Sequence, residues 1–432
     1  MATLILDMIG PFGVLLLAFG SYRYDPRRIS LSIAFWVGIN FLFYAIRFMV
    51  HPGYGMTFAW LLPLIELMVT GSAFVSIRWL REHPSQSVVR YYFWWALFYA
   101  ALVVIATTQN LVLAWLAIEF STLVSSALLI ELGNRRALEA AFKYMVIASV
   151  GMSVALLGIV LLYASLQSQH LGWQTFTYAN LAIHHQAIAP IVRDIVMIMM
   201  LCGIGTKAGL VPFHTWLPDA HSVAPSPISG LLSGCLLGLC LLVIDHFLRA
   251  ISMPSTLFLS GQHLLLLFGV LSVLIGSFAL FVQKDVKRML AYSSIEQVGI
   301  MAIGFGIGTP LAIDAALLQF VFHAIIKASL FYLAGYFSER YHSTHLFQWK
   351  EITKKFPRLA ILWAILLLAL AGLPPLGLAY SEWMLILSLW DQQQTIVLLA
   401  LCLGLVLSFS ALSDHLIKSL WKTPRNQTVD LS

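Results

Sequence analysis

Thirteen apolar runs, each about 20 residues long and so able to cross a bilayer, divide this chain almost from end to end. They lie near residues 4–21, 29–50, 56–79, 89–107, 109–130, 139–165, 190–211, 226–248, 262–283, 290–308, 312–337, 358–390 and 394–417. A hydrocarbon interior offers no water to unpaired backbone groups, so runs of this kind must fold as helices. Residues are 60% hydrophobic and 10% charged, with a mean hydropathy of +0.87, which excludes an ordinary soluble domain. The expectation is an all-α polytopic membrane protein with about 13 transmembrane helices.

Charge then orients the spans. Nineteen of the 25 Lys and Arg residues fall in alternate connections, from Arg23, Arg27 and Arg28 through Arg78, Arg135, Lys284 and Lys350 to Lys418, Lys422 and Arg425. The opposite connections and their edges hold only Arg47, Arg193 and Arg249. The positive-inside rule therefore places the N-terminus outside and the C-terminus in the cytoplasm, for a multi-pass protein of the cell inner membrane. The connection over 166–189 has no Lys or Arg and reads as an outer loop. The formal charge of +6 is thus a matter of topology; lipid, not nucleic acid, is the expected surroundings.

Cys202, Cys235, Cys240 and Cys402 lie in apolar runs without a CxxC pair, so no metal, iron–sulfur cluster or other cofactor is expected in the chain. The first 20 residues lack a basic leader and a cleavage site, which predicts a retained first span.

Two spans are interrupted. Lys207 to Pro227, KAGLVPFHTWLPDAHSVAPSP, places four prolines, two histidines, an aspartate and a tryptophan where lipid would demand an unbroken helix. The run over 358–390 is too long for one simple crossing and contains GLPPLG. With spans four to eight as one unit and nine to thirteen as another, both breaks fall on the fourth span. Matching interruptions point to a repeated transporter architecture with a midplane site, and an odd number of spans per unit makes the repeat inverted. The expected division is N-terminal helices at 1–85, five-helix units at 86–250 and 251–420, and a cytoplasmic tail at 421–432.

Ionisable residues within the spans mark a hydrated, mutually paired interior, since an ionised group at bilayer depth costs at least about 2.5–3.5 kcal/mol. They are Lys143, Lys207, Lys327, Glu66, Glu119, Glu296, Asp314 and Glu382. Glu119 shares a helical face with Thr122 and Ser126, and its protonation can answer to its neighbours. Lys143 follows Glu139 by four residues and reads either as a proton carrier or as half of a local pair. Lys207, just before the first break, is placed to exchange protons with water or a carboxylate. His221, close to Asp219 in sequence, suits a proton relay, whereas His214 can satisfy carbonyls freed by the break. His214 and His221 lack a clear third ligand for zinc. Gln319, His323 and Lys327 recur at four-residue spacing, one polar stripe along a helix, and Glu382 follows the second break. Glu296 and Asp314 are weaker choices, placed near span ends.

KAGLVPFHTWLPDAHSVAPSP, WLAIEFSTL, QKDVKRMLAYSSIEQVGIMAIG, HAIIKASLFYLAGYF and GLPPLGLAYSEWMLI together resemble the proton-conducting antiporter family. Respiratory complex I, multisubunit Na+/H+ antiporters and membrane-bound hydrogenases share that family. GLPPLG with SEW, and EAAFKY, are most similar to its hydrogenase 4 component F branch. The resemblance implies Glu119 and Lys207 as interacting acid and base, His323 and Lys327 as central relay residues, and Glu382 as the terminal site. It implies proton translocation within a complex I-like membrane oxidoreductase, with other membrane subunits and peripheral redox subunits as partners and redox chemistry left to the latter. Alternatives are a cation/proton antiporter, a proton-coupled inorganic-carbon uptake system, or a non-pumping scaffold. The chain departs from the family in its eighth span, where ISGLLSGCLLGLCLLVIDHF offers Gly, Ser and Cys in place of a central lysine or histidine. It also ends soon after the thirteenth span, so the long lateral helix of the family's largest members is expected to be missing.

Overall fold

The computed structural model describes residues 7–20, 26–50, 61–169, 172–251, 260–349 and 352–420. The expected tail at 421–432, with Lys422 and Arg425, lies outside them, as do Arg23 and Lys350. Each of the thirteen apolar runs is mainly helical in its described part, with non-helical stretches at 209–211 and 371–376. The helices are α1 (Ile9–Gly20), α2 (Pro26–Val50), α3 (Leu62–Glu82), α4 (Val88–Thr107), α5 (Leu111–Ile130), α6 (Arg135–Leu166), the short surface helix α7 (Tyr178–His184), α8 (Pro190–Ala208) and α9 (Trp216–Val223). There follow α10 (Ser226–Leu231), a π-helical turn (Leu232–Leu236), α11 (Leu237–Ile251), α12 (Gly261–Val282), α13 (Val286–Ile307), α14 (Pro310–Tyr341), the short α15 (Ile352–Lys355), α16 (Pro357–Leu370), α17 (Gly377–Asp391) and α18 (Thr395–Leu420). Among the described residues, eleven helical segments have the length and hydropathy to span a membrane, and Ile9–Phe19 and Pro357–Leu370 are shorter apolar helices.

Helix starts follow local chemistry. Ser87, Asn110, Asn134, Ser260, Asp285 and Thr309 each accept an N–H of the first turn at the head of a span. Inside the bundle, close approach needs small residues: a Cβ on Gly299 would lie 2.7 Å from the Gly269 carbonyl oxygen, so α12 and α13 meet backbone to backbone.

Burial ranks the helices. The apolar window of α10–α11 is wholly buried, whereas that of α18 is only 28% buried. The eighth span is therefore the axis of the bundle, and the thirteenth lies on its flank. Contacts between chain ends respect the predicted alternation of sides. Asp7 pairs with Arg47, Arg78 with Glu339, and Arg90 with Glu131. Asn110 bridges to Thr177, and Asp285 to His345. Every one of these joins residues that the charge count assigns to the same face.

Candidate functional site

The first break begins at Gly209, whose φ of +78° gives α8 a left-handed cap. Pro212, joined to Val211 by a cis bond, follows three residues later. Polar side chains take up backbone groups the break releases: Ser272 Oγ accepts from the Val211 N–H at 2.9 Å, and the Trp216 indole donates to the Thr206 carbonyl at 2.9 Å. Lys207 sits in the last turn before the break and is 0% exposed. Its Nζ donates to Thr122 Oγ1 at 2.7 Å and to the Tyr144 hydroxyl. Tyr144 stacks on Trp216 with centroids 4.5 Å apart, and its hydroxyl meets Ser125 Oγ at 2.8 Å.

Glu119 does not reach Lys207 directly. Its Oε1 accepts from Ser149 Oγ at 2.6 Å, and its Oε2 is buried with no hydrogen-bond partner. Thr122, one turn further along α5, is the contact between that helix face and the lysine. The acid and base implied by resemblance are thus not an ion pair: Glu119 is held by Ser149 and Lys207 by Thr122 and Tyr144.

In the second half the α14 stripe is buried throughout: Gln319, His323 and Lys327 all point inward. Lys327 Nζ donates to Ser293 Oγ and to the Leu290 carbonyl on α13. His323 Nε2 lies 3.3 Å from the Ser233 carbonyl on the π-helical turn, and its Nδ1 is buried without a partner. Gln319 donates to Gln297 Oε1 and accepts from Ser381 Oγ, which ties the stripe to α17 next to Glu382. The second break matches the first, with Gly372 at φ +73° and a cis bond between Pro374 and Pro375. Glu382 Oε2 lies where a Cβ on Gly372 would be, 2.3 Å from it, and Oε1 is buried and unpartnered. The missing side chain of Gly372 is what makes room for the carboxylate.

Two residues sit differently from the sequence expectation. Glu296 is not near a span end but midway along α13 and 0% exposed. Its Oε2 accepts from Ser408 Oγ at 2.7 Å and its Oε1 is unpartnered, which repeats the arrangement of Glu119 with Ser149. The signal was available: SSIEQVG puts an acid in the second span of the second unit, as WLAIEFSTL does in the first. His221 is buried and stacked on Phe331 at 4.9 Å, with neither ring nitrogen bonded, and does not engage Asp219. Residues two apart on a helix point about 200° from one another, so Asp219 turns outward instead. There it bridges Arg288 at 2.7 Å and Lys143 at 3.6 Å.

Lys143 is half-exposed and also pairs with Glu139 at 2.8 Å, the local i,i+4 contact. Asp314 is exposed near the start of α14, and His214 is partly buried with Nδ1 unbonded. Glu66 is 0% exposed and accepts from the Tyr99 hydroxyl. A polar cavity of about 590 Å³ opens at the face carrying most of the basic residues and is lined by His83, Arg136, Ser226, Lys287, Glu339 and His342. Lys287 is itself nearly buried there and donates to the Ala224 carbonyl at 3.0 Å.

Residues 108–408 match the family model described as NADH:quinone oxidoreductase/Mrp antiporter, transmembrane. The chain belongs to this family. Both broken helices, α14 and the carboxylates Glu119, Glu296 and Glu382 fall within the matched region, whereas α1–α4 precede it. A hydrogenase-4 component F homolog from Methylacidiphilum infernorum is 35% identical over 74% of this chain and 67% of its own length. NADH-quinone oxidoreductase subunit N from Desulforudis audaxviator is 31% identical over 65% of this chain and 54% of its own. The matches thus span between about half and two thirds of these relatives. In fold, the chain is similar to one in the membrane-bound sulfane sulfur reductase, an archaeal respiratory membrane complex, with a TM-score of 0.84, 21% identity and coverage of 99% and 91%.

Proposed function

We propose that this chain is the proton-translocating, antiporter-like subunit of a complex I-like membrane-bound oxidoreductase of the hydrogenase or formate hydrogenlyase type. The observation that carries this reading is the pair of lysines Lys207 and Lys327, both 0% exposed and both held by hydroxyl and carbonyl oxygens. An ammonium at that depth needs compensation. Oxygen ligands of this kind hold a lysine whether or not it carries its extra proton, whereas a tight carboxylate pair would fix the charge.

In this mechanism protons enter from the cytoplasmic face, where Lys143 and His221 stand at the inner ends of the first unit. Lys207 is loaded next to the first break, under the influence of Glu119 through the Thr122 helix face. Lys327 and His323 carry the proton across the second unit, and Glu382 beyond the second break releases it outside. The N-terminal helices at 1–85 flank two inverted five-helix units at 86–250 and 251–420. The protein lies in the inner membrane with its N-terminus outside, and other membrane subunits and peripheral redox subunits are its partners. Two parallels support the repeat: both breaks begin at a glycine of positive φ, and Glu119 and Glu296 each accept from a serine of a neighbouring helix.

The test is proton movement by the purified parent complex in sealed vesicles. Lys207→Ala should lower coupled proton movement about a hundredfold or more with the complex intact, the lower range for loss of a positioned proton-transfer group. Unchanged turnover and coupling would overturn the proposal in favour of a scaffold.

A further inference from the structure

The polar cavity of about 590 Å³ is lined by basic side chains from several helix ends. Lys287 stands at the start of α13, Arg136 at the start of α6, His83 just past α3, and His342 and His345 beyond α14. Among the described residues one carboxylate, Glu339, shares the lining, and it is taken up by Arg78 at 3.5 Å. Lys287 is only 8% exposed, and its ammonium donates to the neutral Ala224 carbonyl at 3.0 Å. Among the described residues neither Lys287 nor Arg136 is in an ion pair. Ser338 Oγ, on the same wall, is buried without a partner. A buried ammonium without a counter-ion, beside a hydroxyl without a partner, suits an anion with several acceptor oxygens.

The cavity does not end in polar walls. Trp79, Ser226, Gly335 and Glu339 also line a groove of about 320 Å³, which continues past Phe74, Val75, Tyr332, Leu333 and Leu359. This groove runs between α3, α14 and α16. Along α3 it leads from Arg78 back to Phe74, and along α14 from Glu339 back to Tyr332. That is one to two helical turns, about 6–10 Å deeper into the bilayer. Phe74 is 56% exposed, so the groove is open to lipid at its deep end. Arg78 stands at the junction, its guanidinium 3.8 Å from the Tyr336 ring centroid. A basic pocket continuous with an apolar groove matches a molecule with an anionic head and a hydrocarbon tail. Free phosphate would leave the groove empty, and a purely apolar ligand would leave Lys287 without a counter-ion.

We propose that the joined cavity and groove bind an anionic glycerophospholipid, its phosphate on Lys287, Arg136 and Ser338 and the start of one acyl chain along Phe74, Leu333 and Leu359. Anionic lipid gives the cytoplasmic leaflet its negative surface potential, and the positive-inside count assigns this face to that side. The bound lipid joins α3, which precedes the family-matched region, to α13 and α14, which lie within it. It therefore holds the N-terminal helices against the rest of the bundle, and does so whether or not the chain moves protons.

The test is thermal melting of the delipidated full chain in detergent, titrated with dioleoylphosphatidylglycerol, dioleoylphosphatidylcholine or inorganic phosphate. A ligand that binds only the folded chain raises its melting temperature. Phosphatidylglycerol should do so, and phosphatidylcholine and phosphate should not. Arg136→Gln and Lys287→Gln should each raise the half-saturating phosphatidylglycerol concentration about fivefold, the worth of one basic residue facing anionic lipid. Arg135→Gln changes a neighbouring basic residue outside the lining and should leave that concentration unchanged. Leu359→Trp fills the groove from α16 and should weaken binding without altering charge. Should Lys287→Gln fail to fold, Arg136→Gln carries the test, because Arg136 is exposed. Equal action of the two lipids, or none from either, would overturn the proposal. Stabilisation by phosphate that Leu359→Trp leaves unchanged would make this a site for a soluble anion and overturn it too. A loss in Arg135→Gln as large as in Arg136→Gln would replace the built site with diffuse surface attraction. Phosphatidylglycerol binding by the chain that the intact complex lacks would give the pocket to a partner subunit and remove lipid as its occupant.

Discussion

At the scale of single residues, the buried polar groups divide into small hydrogen-bonded sets. Lys207 is grouped with Thr122, Tyr144 and Ser125, and Lys327 with Ser293, Ser294 and the Leu290 carbonyl. Most ionisable members of these sets were legible in the sequence, because a charge in an apolar run is conspicuous. Their partners were not, since Thr122 is 85 residues from Lys207 and Ser408 is 112 residues from Glu296. Glu296 itself was undervalued because its depth depends on where α13 begins, and the Asp285 cap sets that start. Glu296→Gln keeps an acceptor for the Ser408 hydroxyl and removes the ionisable group. It should melt like wild type in a thermal assay while coupled proton movement falls about a hundredfold or more; wild-type pumping would assign Glu296 a packing role. Glu296→Ala also strips the acceptor and should lower the melting temperature besides, because a buried hydroxyl then loses its partner.

At the scale of helices, the breaks do more than interrupt a span. Each starts with a glycine of positive φ, and at the second that glycine also clears space for a carboxylate. Proline showed in the sequence where α8–α9 and α16–α17 would break. It did not show that Gly372 and Glu382 would touch. Gly372→Ala places a methyl group 2.3 Å from Glu382 Oε2, so the carboxylate has to move. Gly133 has a similar φ of +69° but open space around it, and Gly133→Ala is the matched control. Both variants should lose about 1 kcal/mol or more from the backbone conformation alone. Only Gly372→Ala should also reduce proton movement in vesicles; equal activity of the two would mean that Glu382 can leave its position without consequence. The π-helical turn is the opposite case. Nothing in SGLLSGCLLGL distinguishes a π turn from regular helix, and the close packing of Gly234 and Gly238 against α14 shows only in the folded chain.

At the scale of the whole molecule, Asp219 joins Lys143 on α6 to Arg288 on α13, and Lys287 bonds the Ala224 carbonyl where α9 leads into α10. These contacts tie α6, α9 and α13 together on the face that carries most of the basic residues. That face should be cytoplasmic. With a membrane-impermeant thiol reagent on intact cells, Ser168→Cys should label and Ser85→Cys should label only after permeabilisation; the reverse pattern would invert the topology. The sequence by itself determined the number of spans, their alternation and the positions of both breaks. Each of these follows from hydrophobic length, loop charge and proline chemistry, which are local properties. Tertiary structure alone decided which helix forms the axis, which oxygen receives each lysine, and which helices pack against the eighth span. Those depend on contacts between segments far apart in the chain, 85 residues between Lys207 and Thr122 and 264 between Tyr332 and Met68, and such contacts exist only once the helices have packed.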